Sequence, residues 1–346
     1  MRNTVSVIES IYSRLQDEIS IELFNARLDL FYKGGDAAEY ILSKSSLKKI
    51  LEEAKTGNNS VILYGAGTDG KTLLDYCGAE GINVICFCDS DSKKWNEKFH
   101  GHSVISPSEL MEKYPDSTVF ISSVRAYHEI LKSLKRSGFT GKVLDWFCTG
   151  WPQSDETRKY FGEPFIVPAE NEVLIDAGAY VGDDIERFIK FCNNSYKRIF
   201  AVEPSPAVFE KMCVVASKYK NVVPVNKGVY SCTTKLPFVA AGDSTSYIAL
   251  NEATDSFIEV ICIDDLADSE DVTFIKMDIE GAELKALKGA ENTIKRCKPK
   301  LAICVYHKSE DVLQIPCYIL SLVPEYRLFI RHYSRNPCET VLYAVV

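Results

Sequence analysis

The sequence predicts an α/β protein built from two modules, and three observations predict it. An apolar strand that runs into a glycine turn occurs twice, at Ser60 to Gly70 (SVILYGAGTDG) and at Val173 to Asp183 (VLIDAGAYVGD). Each is followed by a stretch of helical character, so both modules share the plan strand, glycine turn, helix. Between them, Thr149 to Asn171 holds Gly150, Pro152, Gly162, Pro164 and Pro168, the densest run of turn formers in the chain. Such a run marks an interdomain boundary.

Composition bounds the function. A chain of 346 residues with 46% hydrophobic content can bury two ordinary cores. The formal net charge of −8 offers no electrostatic footprint for nucleic acid or for an anionic membrane. Twelve cysteines lie scattered, several inside apolar runs (Cys86, Cys88, Cys262, Cys304), with no C-x-x-C pair. That pattern suits buried free thiols in a reducing compartment. With no run of 18 apolar residues and no signal peptide, the expectation is a soluble, cytoplasmic protein without a membrane span.

Residues 1–58 read as a helical segment. Val5, Ile8, Ile11 and Leu15 fall three or four apart, and Gly34-Gly35 interrupts before a further helix from Ala37 to Ala54. This segment is expected to pack on the next domain or on another subunit of a homo-oligomer.

Residues 59–148 form the first, smaller Rossmann-like module. After the strand Ser60 to Tyr64, Gly65, Gly67 and Gly70 spell G-x-G-x-x-G, and the strand Asn83 to Cys88 ends in Asp89, 19 residues after Gly70. In nucleotide folds the glycines admit the phosphates and the acid takes the ribose. Only one further strand-helix-strand unit follows (Thr118 to Ser122, Ala126 to Arg136, Lys142 to Trp146). There is thus room for a mononucleotide or nucleotide-sugar, less for NAD. Tight strand-to-helix packing requires the same glycines and is the competing reading. The stretch Phe87 to Leu110 resembles the small Rossmann-like modules of sugar-modifying enzymes. His100 and His102 form an H-x-H pair, but no carboxylate or cysteine stands at ligand spacing, so a solvated loop is expected there. Residues 149–170 are the linker.

Residues 171–346 carry the chemistry. The spacing after Ile175 is D-x-G-x-x-x-G, not the pyrophosphate-wrapping pattern, which points to a ligand without phosphates. The next strand, Arg198 to Val202, runs into Glu203-Pro204, where a carboxylate can accept both hydroxyls of a ribose. A third strand, in Phe274 to Glu283 (FIKMDIEGAE), breaks at Asp278 on the same edge of the sheet. Tyr326 to Arg331 and Thr340 to Val346, joined by a polar turn at Ser334 to Pro337, read as a hairpin.

DAGAYVGD, AVEPSP, KMDIEGAELKALKGA and a strand ending in Tyr306-His307, in that order, resemble the FkbM-type S-adenosylmethionine-dependent methyltransferases. The resemblance implies a class I methyltransferase fold with a seven-stranded mixed sheet, and S-adenosyl-L-methionine as methyl donor across the first two strand tips. Carried onto this chain, Asp176, Gly178 and Gly182 shape the donor site, Ala179 and Tyr180 floor it, Glu203 takes the ribose, and Pro204 and Ser205 border the adenine. The family commonly has Asn at the position of Tyr180. Asp278 stands near the transferring methyl, either bonding the donor's amino group or orienting the acceptor.

An acceptor hydroxyl must lose a proton, and His307, expected at the pocket mouth, is the candidate base, with His332 a second candidate. Glu283 is read as favouring a helix dipole. Asp278 and Glu280 together suggest a divalent cation as in catechol-type methyltransferases, but no further ligand can be placed from sequence, so no metal is expected. Gly242 to Ser246 reads as a polar loop able to fold over the donor. The expected reaction is O-methylation of a sugar or glycan-related hydroxyl. The rivals are an NAD-dependent oxidoreductase or epimerase working through Gly65 to Gly70, against which no Tyr-x-x-x-Lys pair follows the module, and a nucleotide-sugar-binding partner in glycan assembly.

Overall fold

The computed structural model describes residues 4–33, 46–55, 60–123, 126–144, 156–239, 247–248, 254–333 and 338–346. Met1–Ala37 and Asp155–Val346 form one compact unit, and Ala38–Ser154 form another. The expected turn at 334–337, the loop at 242–246 and residues 149–155 of the expected linker lie outside the described residues, while 156–170 belong to the larger unit.

Helices α1 (Thr4–Tyr12) and α2 (Glu18–Lys33) belong to the larger unit, where they serve the edge strand Arg327–His332. Leu328 N–H donates to the Arg14 carbonyl at 2.8 Å, and Gln16 N–H donates to the Leu328 carbonyl at 3.1 Å. Ile330 N–H donates to Ser20 Oγ at 3.0 Å, and Arg331 pairs with Asp17 at 2.7 Å. An edge strand offers a row of unpaired amides, and here the N-terminal segment takes them up. The segment 1–58 is therefore divided between the two units rather than standing as one lead-in. Because Ser20 is fully buried, Ser20→Ala should orphan Ile330 N–H and cost about 1–3 kcal/mol. An unshifted urea midpoint would show that this amide finds another partner.

The smaller unit contains α3 (Ser46–Lys55), β1 (Ser60–Tyr64), α4 (Thr68–Ala79), β2 (Asn83–Cys88), β3 (Lys98–Phe99), β4 (His102–Ile105), α5 (Pro107–Lys113), β5 (Thr118–Ile121), α6 (Tyr127–Arg136) and β6 (Val143–Leu144). Its sheet runs β3-β4-β2-β1-β5-β6, parallel except for the β3–β4 pair. Leu51 and Ala54 of α3 pack with Val61, Leu63 and Leu73 in its core. The stretch expected as a solvated loop is instead the β3–β4 hairpin, turned by His100 (φ 48) and Gly101 (φ 87). The His100 ring meets Phe99 and the His102 ring meets Phe87, so aromatic packing accounts for both histidines.

In the larger unit the chain continues as β7 (Glu172–Ala177), α7 (Asp183–Phe191), β8 (Tyr196–Val202), α8 (Pro206–Ala216), β9 (Val222–Val225), β10 (Gly228–Val229), β11 (Thr234–Val239), β12 (Tyr247–Ile248) and β13 (Phe257–Ile261). It then forms α9 (Ile263–Ala267), β14 (Phe274–Met277), α10 (Glu283–Lys288), α11 (Glu291–Cys297), β15 (Lys300–Cys304), α12 (Asp311–Leu322), β16 (Arg327–His332) and β17 (Thr340–Val345).

The main sheet is seven-stranded, in the order β16-β17-β15-β14-β7-β8-β9. Its centre, β7 and β14, is buried at every residue, the charged Glu172, Asp176 and Lys276 included. β16 and β17 pair antiparallel, as the hairpin signal predicts. From β7 the chain first builds outward to β8 and β9, then returns to add β14 on the other side. Such a reversal opens a crevice at the carboxyl ends of the strands. A second sheet, β10-β13-β11-β12, stands beside it. Among the described residues no helix is long and apolar enough to cross a membrane.

Candidate active site

The crevice is real and open. A cavity of about 570 Å³ lies over the tips of β7, β8 and β14, within the range of small-molecule sites. Its floor is the bend after β7, where Gly178 (φ 76), Tyr180 (φ 48) and Gly182 (φ 89) take left-handed backbone. A Cβ on Gly178 would sit 1.9 Å from the Asp278 carbonyl oxygen, so only glycine lets the two strand tips close up. Gly178 and Ala179 N–H both donate to the Val202 carbonyl at 3.0 Å, which ties the bend to the end of β8.

Glu203 faces this bend. Tyr180 N–H donates to its Oε2 at 3.1 Å and Ser205 N–H to its Oε1 at 2.9 Å. Burial raises its carboxyl above the usual range against the pull of those two N–H groups. Each oxygen keeps a lone pair for a further donor. Pro204 borders the same cavity, while Ser205 is buried as the N-cap of α8.

Beneath the bend lies a buried ion pair that positions it. Lys276 Nζ is 2.9 Å from Asp176 Oδ1 and 3.5 Å from Asp184, and it donates to the Gly178 carbonyl at 2.8 Å. Burial pushes the Asp176 carboxyl up to about 6, with Lys276 opposing. Burial works against the Lys276 ammonium, but Asp176, Asp184 and Asp278 outweigh it and hold the group charged. Asp176 thus supports the bend from below and does not line the cavity, and neither does Gly182.

Asp278 lines the cavity inside a ring of donors. Tyr160 OH donates to its Oδ2 at 2.8 Å and Tyr306 OH to its Oδ1 at 3.0 Å. Lys159 Nζ lies 3.5 Å away and also pairs with Glu339. Burial would raise this carboxyl, but Lys159, Lys276 and His307 hold it well below the usual carboxylate range.

His307 does not line the cavity. Its side chain is only 9% exposed, with Nδ1 3.0 Å from Glu283 Oε1 and Nε2 turned toward Asp278 and Glu280. Burial lowers its pKa, yet Glu283, Asp278 and Glu280 raise it to about 8. The strand end puts it one layer behind the mouth, because Tyr306 takes the lining position. His332 is buried with Nδ1 2.7 Å from Thr340 Oγ1 and likewise does not line the cavity. Glu283, read from sequence as a helix-dipole partner, is fully buried and accepts Ile279 N–H at 2.9 Å.

Several lining residues carry no sequence signal. Lys159 and Tyr160 come from inside the stretch expected as the linker, 149–170, and Tyr160 is fixed by its N–H donating to Tyr343 OH at 2.9 Å. Val229, Phe238, Tyr247 and Ile258 come from the second sheet and form an apolar wall. Lys276 was legible, since a lysine inside a buried strand demands a partner.

In the smaller unit the acid beside the glycine loop is engaged by its own chain. Asp89 Oδ2 accepts Ala66 N–H at 2.8 Å and pairs with Lys94 at 2.9 Å, while Oδ1 accepts Asp91 N–H at 2.9 Å. A Cβ on Gly70 would meet the Gly65 carbonyl oxygen at 2.1 Å and one on Gly65 would meet Ser122 Oγ at 2.7 Å, whereas Gly67 has open space. Gly65 and Gly70 therefore serve close packing.

The strand order and the open carboxyl-edge cavity define a class I methyltransferase fold. A solved methyltransferase FkbM from Methylobacillus flagellatus KT shares that fold, with a TM-score of 0.53 at 20% identity over 99% of this chain and 100% of that one. Residues 176–335 match the family model described as the methyltransferase FkbM domain, and residues 57–143 match the model described as C2185-like, N-terminal. Residues 176–335 thus match a methyltransferase FkbM domain. Among characterised proteins it is similar to the hexuronic acid methyltransferase AglP of Haloferax volcanii, 29% identical over 134 residues, 36% of this chain. The match spans 52% of AglP, about half its length.

Proposed function

We propose that this chain is an S-adenosylmethionine-dependent methyltransferase acting on a hydroxyl of a sugar or glycan-related acceptor. The observation that carries it is the Glu203 carboxylate, held against the Gly178–Tyr180 bend by two backbone N–H groups and lining the same open cavity with acceptor capacity to spare. A nucleoside without phosphates fits that setting. When bound, the donor supplies an electrophilic methyl group on a sulfonium centre.

The chain's own work is to hold and align. Glu203 takes the ribose hydroxyls, Pro204 borders the adenine, and the Gly178–Ala179–Tyr180 bend receives the methionine portion over the Asp176–Lys276 pair. Asp278, kept ionised by Tyr160, Tyr306 and Lys159, orients either the donor's amino group or the acceptor hydroxyl. His307 acts through Asp278 as a positioning residue rather than at the acceptor itself. The similarity to a hexuronic acid methyltransferase supports a uronic acid as acceptor. Every described cysteine is a free thiol, which supports a cytoplasmic setting.

The test is methyl uptake from labelled donor by the full chain, offered free, nucleotide-linked and lipid-linked uronic acids beside their neutral hexose counterparts. Methyl ethers on uronic acids are expected. Uptake confined to an unrelated acceptor would overturn the substrate assignment, and failure to bind S-adenosylhomocysteine would overturn the enzyme assignment.

A further inference from the structure

An imidazole and three carboxylates converge where β14 and β15 end, at the edge of the cavity. His307 is nine-tenths buried, and neither of its ring nitrogens is satisfied by a hydrogen bond of ordinary geometry among the described residues. Nδ1 lies 3.0 Å from Glu283 Oε1, a contact that places the ring proton on that side. Nε2 then points between Asp278 Oδ1 at 3.5 Å and Glu280 Oε2 at 3.4 Å. Two carboxylate oxygens around one ring nitrogen call for a cation there, either the second proton of an imidazolium or a metal ion.

Distance separates two candidates for that cation. A proton shared as N–H···O would draw nitrogen and oxygen to about 2.7–3.2 Å. A divalent metal with nitrogen and oxygen ligands at about 2.0–2.2 Å in tetrahedral array holds its ligand atoms about 3.3–3.6 Å apart. Both separations from Nε2 fall in the second range. The surroundings agree: a carboxylate on the far nitrogen of a ligating histidine is the usual way such a ring is oriented, and Glu283 stands there, fully buried. Lys159 is on the other oxygen of Asp278, Oδ2, at 3.5 Å, so it does not fill the position. Tyr306 OH, 3.0 Å from Oδ1, leaves that oxygen a second lone pair.

We infer that His307 Nε2, Asp278 and Glu280 form a site for one divalent transition-metal ion, of the manganese or zinc type by donor set, with Glu283 as the positioning residue. Sequence reading raised Asp278 and Glu280 as a cation pair lacking a further ligand; the fold brings His307 to them from 27 residues beyond Glu280. Because Asp278 and Glu280 line the cavity, the ion's open face is turned to the acceptor. This deepens, and rests on, the O-methyltransferase reading: a coordinated hydroxyl is more acidic. It would lose its proton to solvent water, its oxygen would bond the methyl carbon, and the carbon–sulfur electron pair would pass to sulfur. Among the described residues no histidine lines the cavity to do this instead.

The test is equilibrium binding of Mn²⁺, followed by electron paramagnetic resonance, and of Zn²⁺, by competition with a chromophoric chelator, to the chelator-stripped full chain. One site per chain is expected, weakened at least about 10-fold in His307→Asn and in Glu280→Gln, with Glu283→Gln weakened about 10- to 100-fold as its role predicts. S-adenosylhomocysteine affinity should stay unchanged in Glu280→Gln. That variant alters a partly exposed side chain, so it keeps the test decisive if His307→Asn does not fold. Equal metal binding by wild type and Glu280→Gln, or no site at all, overturns the inference. If S-adenosylhomocysteine still binds in that case, the methyltransferase reading stands without the metal; if it does not bind, that reading fails on its own account.

Discussion

Glu203→Ala should weaken S-adenosylhomocysteine binding by about 100-fold or more, measured by isothermal titration calorimetry. A hydrogen bond to a charged group is worth about 1.5–3 kcal/mol, and a carboxylate taking both ribose hydroxyls makes two. Removal also frees Tyr180 N–H and Ser205 N–H, which the carboxylate now accepts, so the bend proposed to receive the donor loosens at the same time. Glu203→Gln separates these effects: it keeps the shape and one carbonyl oxygen, and should lose less. Asp89→Ala in the smaller unit should leave that affinity unchanged, because Asp89 is engaged by Ala66, Asp91 and Lys94. If Asp89→Ala abolished binding and Glu203→Ala did not, the donor would have been assigned to the wrong glycine turn.

These two acids also show how far the chain could be read in advance. Asp89 and Glu203 occupy the same place in the same local plan, a strand end after a glycine turn, and pattern alone treats them alike. What distinguishes them is occupancy. Lys94 reaches back over Asp89 from a short helical turn, whereas Glu203, among the described residues, meets only backbone donors and lines an open cavity. Local periodicity carried the strands, the terminal hairpin and the Gly178 bend, since each depends on neighbours a few residues away.

The residues that escaped are those placed by distant contacts. Tyr160 reaches Asp278 across 118 positions, and α1 and α2 cap β16 from the opposite end of the sequence. His307 was found but set one layer too far forward, because alternation along a strand end cannot tell which of Tyr306 and His307 faces the cavity. Glu283 was read as a charge favouring a helix dipole, since nothing local reveals that Ile279 N–H and the imidazole close over it.

The largest loss of stability should follow from Lys276→Met. Asp176 is completely buried and Lys276 is its nearest cation at 2.9 Å; deleting one partner of such a pair strands a charge in the core at about 3–5 kcal/mol. Chemical denaturation should register that as a lowered midpoint with an unchanged slope. Replacing both partners, Asp176→Leu with Lys276→Met, removes the stranded charge and should recover most of the loss, since apolar groups of similar volume can substitute for a buried pair. Recovery of stability need not restore binding. The Gly178 carbonyl accepts from Lys276 Nζ at 2.8 Å and would lose that donor in both variants, so S-adenosylhomocysteine affinity should stay reduced in the double variant while its midpoint returns. If affinity returned together with stability, the pair would be a feature of the core alone; if it stayed low, the lysine's hold on the bend is what the site requires.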